Sequence, residues 1–90
     1  MELKVGQKVL AVLFGHDFGT IIKVPYYKRV YDKGKWREAK PRIKIHDCLV
    51  RHEVWHNPAD AMSGKDADYF YDRAYDKSNL YLRISDLEQL

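Results

Sequence analysis

Cysteine is nearly absent from this 90-residue chain, where Cys48 stands alone. One thiol closes no internal disulfide and builds no thiolate cluster for zinc, so stability has to come from packed apolar side chains. A lone cysteine of this kind reads as a small buried hydrophobe in a reducing compartment. Long apolar runs are lacking as well. The longest, residues 9–14, is far too short to span a bilayer or to form the core of a signal peptide. With the opening Met1-Glu2-Leu3-Lys4, this predicts a cytoplasmic protein with no membrane partner. The chain shows no internal repeat, low-complexity tract or Ser/Pro-rich linker, which leaves a single domain over 1–90, near the small end of what one core supports. Also missing are a phosphate-binding glycine loop, a dinucleotide-binding glycine run and a nucleophile-elbow serine. The expectation is a non-enzymatic chain without a cofactor.

What the chain has in excess is positive charge in one place. Residues 26–44, YYKRVYDKGKWREAKPRIK, hold eight basic residues against Asp32 and Glu38, a local net charge of +6 in a chain whose total is +3. Tyr26, Tyr27, Tyr31 and Trp36 are interleaved with them. Clustered cations beside flat rings suit a phosphate backbone with stacked bases, or an acidic protein surface. The candidate contact residues are Tyr27, Lys28, Arg29, Tyr31, Lys33, Lys35, Trp36, Arg37, Lys40, Arg42 and Lys44. In a nucleic-acid complex Lys33, Lys35, Lys40, Arg42 and Lys44 neutralise phosphates, while Trp36, Tyr27 or Tyr31 stacks on bases. The alternative is a protein-binding adaptor or inhibitor whose same cations meet an acidic partner. Small stand-alone domains of that sort are common among phage and mobile-element proteins that act on host machinery. Residues 57–90 carry seven acids and four bases. Such a bipolar layout also suits protein docking or head-to-tail self-association.

Apolar periodicity predicts strands over 8–14, 20–24, 36–45, 49–55 and 80–84. Both alternating faces of KVLAVLF (8–14) are apolar, as in a strand covered on both sides. Residues 15–19 read as a turn with two glycines. Pro25 places the following segment at an edge or bend, and 26–31 and 36–45 flank Asp32-Lys33-Gly34-Lys35 as a hairpin tip. Alternation puts Trp36, Glu38, Lys40, Arg42 and Lys44 on one face of the returning strand and Ala39, Ile43 and Ile45 on the other. A helix is predicted over roughly 66–75, where Ala67, Phe70, Tyr71, Ala74 and Tyr75 recur at helical spacing, with Ser63 or Asp66 as its cap. Asp68, Asp72 and Asp76 would line its solvated face, available to pair with the basic hairpin. Expected core residues are Val9, Leu10, Val12, Leu13, Ile22, Ile43, Leu49, Phe70 and Leu82.

Several short strands with one inserted helix point to a small, strongly bent antiparallel sheet or barrel. The chain resembles SH3-like barrels of the Tudor and KOW type. The resemblance lies in VGQKVLAV (5–12), FGTII (18–22), VWHNP (54–58) and YLRISDLE (81–88). It implies an α+β fold, an SH3-like antiparallel β-barrel with one helix inserted near the C-terminus, and a module that binds nucleic acid or protein segments.

One literal motif points elsewhere. His52-Glu53-Val54-Trp55-His56 matches HExxH, which in zinc peptidases sets two ligating histidines one helical turn apart with a glutamate to activate water. That chemistry needs a helix, and Asn57-Pro58 follows at once, so a strand fits the segment as well. His46, Cys48, His52 and His56 share a parity, but an unbroken strand would put its ends roughly 33 Å apart, too far for one ion. No metal is therefore expected.

Overall fold

The computed structural model describes residues 2–12 and 17–81. Its strands are β1 (Lys8–Ala11), β2 (Asp17–Lys23), β3 (Tyr26–Tyr27), β4 (Arg29–Asp32), β5 (Lys35–Glu38), β6 (Lys44–His46), β7 (Cys48–Val54), β8 (Tyr69–Tyr75) and β9 (Leu80–Tyr81). One short helix, α1 (Pro58–Met62), and a 3-10 turn at Lys77–Asn79 complete the elements. Five strands form an antiparallel sheet in the order β8-β7-β2-β1-β9. β2 and β7 run on past this sheet into an arm made of two further antiparallel pairs, β3 with β6 and β4 with β5. Among the described residues the terminal strands β8 and β9 do not pair, so the sheet is open and the expected closed barrel is not seen. No described helix is long and apolar enough to cross a membrane.

Residues directly opposite in an antiparallel ladder share a face, so the register locates the core. Ile21 lies opposite Val50 and Cys48 opposite Tyr75. With Val9, Ala11 and Leu80 they form the buried cluster. Burial pushes the Cys48 thiol up to about 11, aided by Asp47 and Asp76, so it is the inert apolar side chain expected of it. Gly19, opposite Val9, is required by crowding: a Cβ there would lie 2.5 Å from Val50 Cγ1 and 2.9 Å from the Arg51 carbonyl oxygen. Leu10 and Leu49 are buried on the opposite face of the sheet, as the doubly apolar pattern of 8–14 requires. Val12 and Ile22 are half-buried and Ile43 is exposed, while Leu13 and Leu82 lie outside the described residues. β2 begins at Asp17, so Asp17, Phe18 and Gly19 are strand rather than turn, and Gly15 and His16 lie outside the described residues. Of the strand expected over 80–84, only Leu80 and Tyr81 fall among them.

The helix expected over 66–75 is strand β8, paired with β7 without interruption from Cys48↔Tyr75 to Val54↔Tyr69. YFYDRAY carries a period of two as well as the 3.6 stripe, and its rings favour the pleated surface that β7 offers. Phe70, expected in the core, is consequently 58% exposed. The helix sits earlier. Asn57 caps it, its Oδ1 accepting from the Ala59 N–H at 3.1 Å, and Pro58 occupies the first turn, where no donor is needed. The dipeptide read as the end of a strand thus also starts a helix.

The strand expected over 36–45 is likewise broken. The Lys28 N–H donates to Ile43 O at 2.7 Å, and Lys28 O accepts from the Ala39 N–H at 2.9 Å. One residue therefore faces both ends of the segment, and Lys40-Pro41-Arg42 loops out of the ladder. Pro41 has no N–H to contribute there.

Candidate functional site

The arm begins where the β2–β7 ladder ends at Lys23↔Leu49. Its outer half is the β4–β5 hairpin, closed by the two-residue turn Lys33-Gly34 with φ of 51° and 78°. Positive φ at both central residues is the type I′ geometry that matches strand twist, and it suits glycine or asparagine better than lysine. Lys33 therefore occupies a backbone position that disfavours it. Replacing Lys33 with asparagine should stabilise the hairpin by about 0.5–1 kcal/mol, seen as slower amide exchange in β4 and β5. Unchanged or faster exchange would show that the turn carries no such strain.

Register divides the hairpin into two faces. On one, Tyr31 lies opposite Trp36 and Arg29 opposite Glu38. The two rings meet edge to face, 5.4 Å between centroids at 64°, and the Arg29 guanidinium lies 5.5 Å from the Trp36 centroid. Tyr31 is 64% and Trp36 60% exposed, so neither is spent on packing against the sheet. On the other face Arg37 Nε binds Asp32 at 3.0 Å. Trp36 and Glu38 share a face as expected, but the excursion at 40–42 removes Lys40, Arg42 and Lys44 from simple alternation with them.

The cations themselves fall into two sets. Arg42 pairs with Glu38 at 3.2 Å and covers the Tyr27 ring at 3.9 Å. Lys44 binds Asp47 at 2.7 Å at the base of the arm. That hydrogen bond raises the Lys44 ammonium pKa; it also holds Asp47 below the usual carboxylate range, with help from the Lys77 backbone N–H. With Arg37 these cations are already neutralised. Lys28, Arg29, Lys33, Lys35 and Lys40 have no ion pair among the described residues. Among the described residues no carboxylate of the acidic segment pairs with the outer half of the arm. Asp72 takes Arg51 at 2.8 Å, Asp60 takes Lys65, and Asp68 accepts the His56 N–H, while Asp76 reaches only the base of the arm at His46.

His52 of the HExxH sequence is buried in β7, only 2% exposed. Its Nδ1 lies 2.9 Å from the Phe18 carbonyl oxygen, which can only accept, so Nδ1 carries the proton. Nε2 then accepts from the Tyr75 hydroxyl at 2.9 Å. Burial raises the Tyr75 phenol pKa, which keeps it a donor. The ring also stacks on Tyr71 at 4.9 Å. With the motif on a strand and both ring nitrogens engaged, the two histidines do not form the helical pair that a peptidase uses. Among the described residues no three His, Cys, Asp or Glu side chains are grouped to hold a metal ion.

A second feature escaped sequence reading. At the end of the sheet away from the arm, beyond Thr20↔Arg51, β2 and β7 border a cleft of 640 Å³ lined in part by Asp17, Phe18, Glu53, Trp55 and the helix residues Pro58 and Ala61. The period-two run 49–55 already aligned Arg51, Glu53 and Trp55, but nothing in it announced that Phe18 would stay exposed beside them. No known protein family, characterised protein or solved structure was found to be similar to this chain.

Proposed function

We propose that the chain is a non-enzymatic binding module whose arm takes nucleic acid. The observation that carries this reading is the exposed Tyr31–Trp36 pair, bordered by lysines that have no ion pair among the described residues. Lys28, Lys33, Lys35 and Lys40 are the phosphate contacts, while Arg29, Tyr31 and Trp36 form the stacking edge. Arg42, Lys44 and Tyr27 hold the arm together instead. A lysine at the positive-φ position 33, which favours glycine or asparagine, supports a role for charge at the tip. The SH3-like resemblance agrees with a binding module without selecting its ligand.

The test is fluorescence anisotropy with mixed-sequence single- and double-stranded oligonucleotides at low salt. Four to five phosphate contacts give a log–log salt slope of roughly −3 to −4. Absence of binding to both ligands would discard the reading. A protein partner with an acidic surface is the second reading, favoured by Ile43 and Ile45, which stay exposed along the same arm. It would show as nuclease-resistant capture that depends on those two residues.

A further inference from the structure

Residues opposite one another in an antiparallel ladder share a face, and the register sets one polar row across four strands. Lys8 lies opposite Thr20, Thr20 opposite Arg51, and Arg51 opposite Asp72. Phe18, opposite Leu10, shares that face, as do Lys23, opposite Leu49, and Glu53, opposite Phe70. Asp17, opposite Ala11, belongs to the other face, where the buried cluster lies. The outer face of an antiparallel sheet is ordinarily polar. Here Phe18 is 67% and Phe70 58% exposed on it. Phe70 carries the Arg51 guanidinium 4.4 Å from its ring centroid, and Asp72 holds that guanidinium through hydrogen bonds of 2.8 and 3.1 Å. Phe18 borders the 640 Å³ cleft, whose volume lies within the range of small-ligand sites.

Charge on this face leans to the positive, with Lys8 and Lys23 set against Glu53 once Arg51 and Asp72 neutralise each other. Lys8 donates to Thr20 Oγ1 at 2.7 Å, and neither it nor Lys23 has an ion pair among the described residues. Lys23 stands at the end of β2, where the sheet gives way to the arm. Cations without ion pairs therefore run from Lys8 at the cleft, through Lys23, to Lys28 and the arm tip. We infer that a single-stranded nucleic acid held by the arm continues onto this sheet face. Its bases stack on Phe18 and Phe70, and its phosphates meet Lys8 and Lys23. Such a path rests on the nucleic-acid reading of the arm and narrows the ligand to single strands. A duplex keeps its bases stacked within itself and offers none to these rings. Glu53, also without an ion pair among the described residues, repels phosphate. It accepts instead from the exocyclic amino group of a base, as acidic side chains do from cytosine N4.

The test is fluorescence anisotropy with mixed-sequence single strands of increasing length, from about 6 to about 16 nucleotides, beside duplexes of the same lengths. The shortest strands and the duplexes report on the arm alone, and the salt slope of roughly −3 to −4 belongs to them. Longer single strands should bind more tightly, with a slope steeper by about 0.7 for each phosphate contact added at Lys8 and Lys23. F18A/F70A should weaken binding of the longest single strands at least about 5-fold and leave the shortest strands and the duplexes unchanged. K8Q/K23Q should remove the added slope. All four side chains are exposed, so the circular-dichroism spectra should match wild type. Affinity that does not rise beyond the shortest strands overturns the inference, as does long-strand binding that both variants leave intact. Equal losses on short strands and duplexes overturn it too, since the sheet face would then be no separate contact. In each of these cases oligonucleotides still bind wild type and the arm reading stands. A wild type that binds no oligonucleotide of any length overturns both.

Discussion

Replacing His52 with alanine is expected to lower stability by about 2–4 kcal/mol. In a 90-residue domain this corresponds to a melting temperature lower by roughly 10–25 °C. Three losses add. The Phe18 carbonyl and the Tyr75 hydroxyl each lose a hydrogen-bond partner, the latter inside the core. The Tyr71 ring loses its stacking partner, and a cavity opens beside Gly19, which has no side chain of its own to fill it. Because total stability for a small domain is about 5–15 kcal/mol, the variant should sit close to unfolding at physiological temperature. Tyr75→Phe should cost less, about 1–2 kcal/mol, since it removes one donor and little volume. The double variant should be less destabilised than the sum of the two, because the second change removes an interaction already lost. Thermal denaturation of the four proteins measures the cycle. A His52→Ala melting point within a degree or two of wild type would show that the Phe18–His52–Tyr75 chain does not form.

That expectation could not have been drawn from the sequence, where the same histidine matched a zinc motif that its strand-like setting argued against, with no partner for it in sight. Parity placed His52 on the face of Cys48 correctly. It could not show that Gly19 on the neighbouring strand leaves room for an imidazole, or that Tyr75 points its hydroxyl at Nε2. The apolar and β-branched strands were legible, β1, β2 and β7 within a few residues, and so was the hairpin tip at Lys33-Gly34, because its turn chemistry is local. Segment 69–75 was not, since its rings satisfy both periods and only the free edge of β7 decides between them. The arm was legible as a charged hairpin but not as a sorted one. Which cations are free depends on Lys28 facing both Ala39 and Ile43, a long-range feature that brings Arg42 onto Tyr27 and Glu38. For that reason the sequence grouped Lys40, Arg42 and Lys44 together, whereas the ion pairs separate Lys40 from the other two.

The sorting makes a binding experiment sharper. Neutralising Lys28, Lys33, Lys35 and Lys40 together should flatten the salt dependence of oligonucleotide binding by about 0.7–0.9 for each phosphate contact removed, leaving a slope near −1 or flatter. At low salt this is an affinity loss of several hundred-fold or more, the largest effect expected on the arm. Neutralising Arg42 and Lys44 instead should change the slope little, because Glu38 and Asp47 already hold those charges. Trp36→Ala should act in another way. It removes a ring on which a base stacks, at a cost of about 1–3 kcal/mol for single strands, and leaves the slope unchanged because no charge is lost. The fold should survive, since Trp36 packs against Tyr31 and Arg29 of the arm and not against the buried cluster. Two signatures therefore separate the two roles, slope for the lysines and intercept for the ring. Equal slope changes in the Lys28/Lys33/Lys35/Lys40 and Arg42/Lys44 variants would mean that the ion pairs open on binding. In that case the arm would present a diffuse field in place of four defined contacts. A Trp36→Ala variant that binds single strands as tightly as wild type would remove stacking from the mechanism and leave the arm to recognise charge alone.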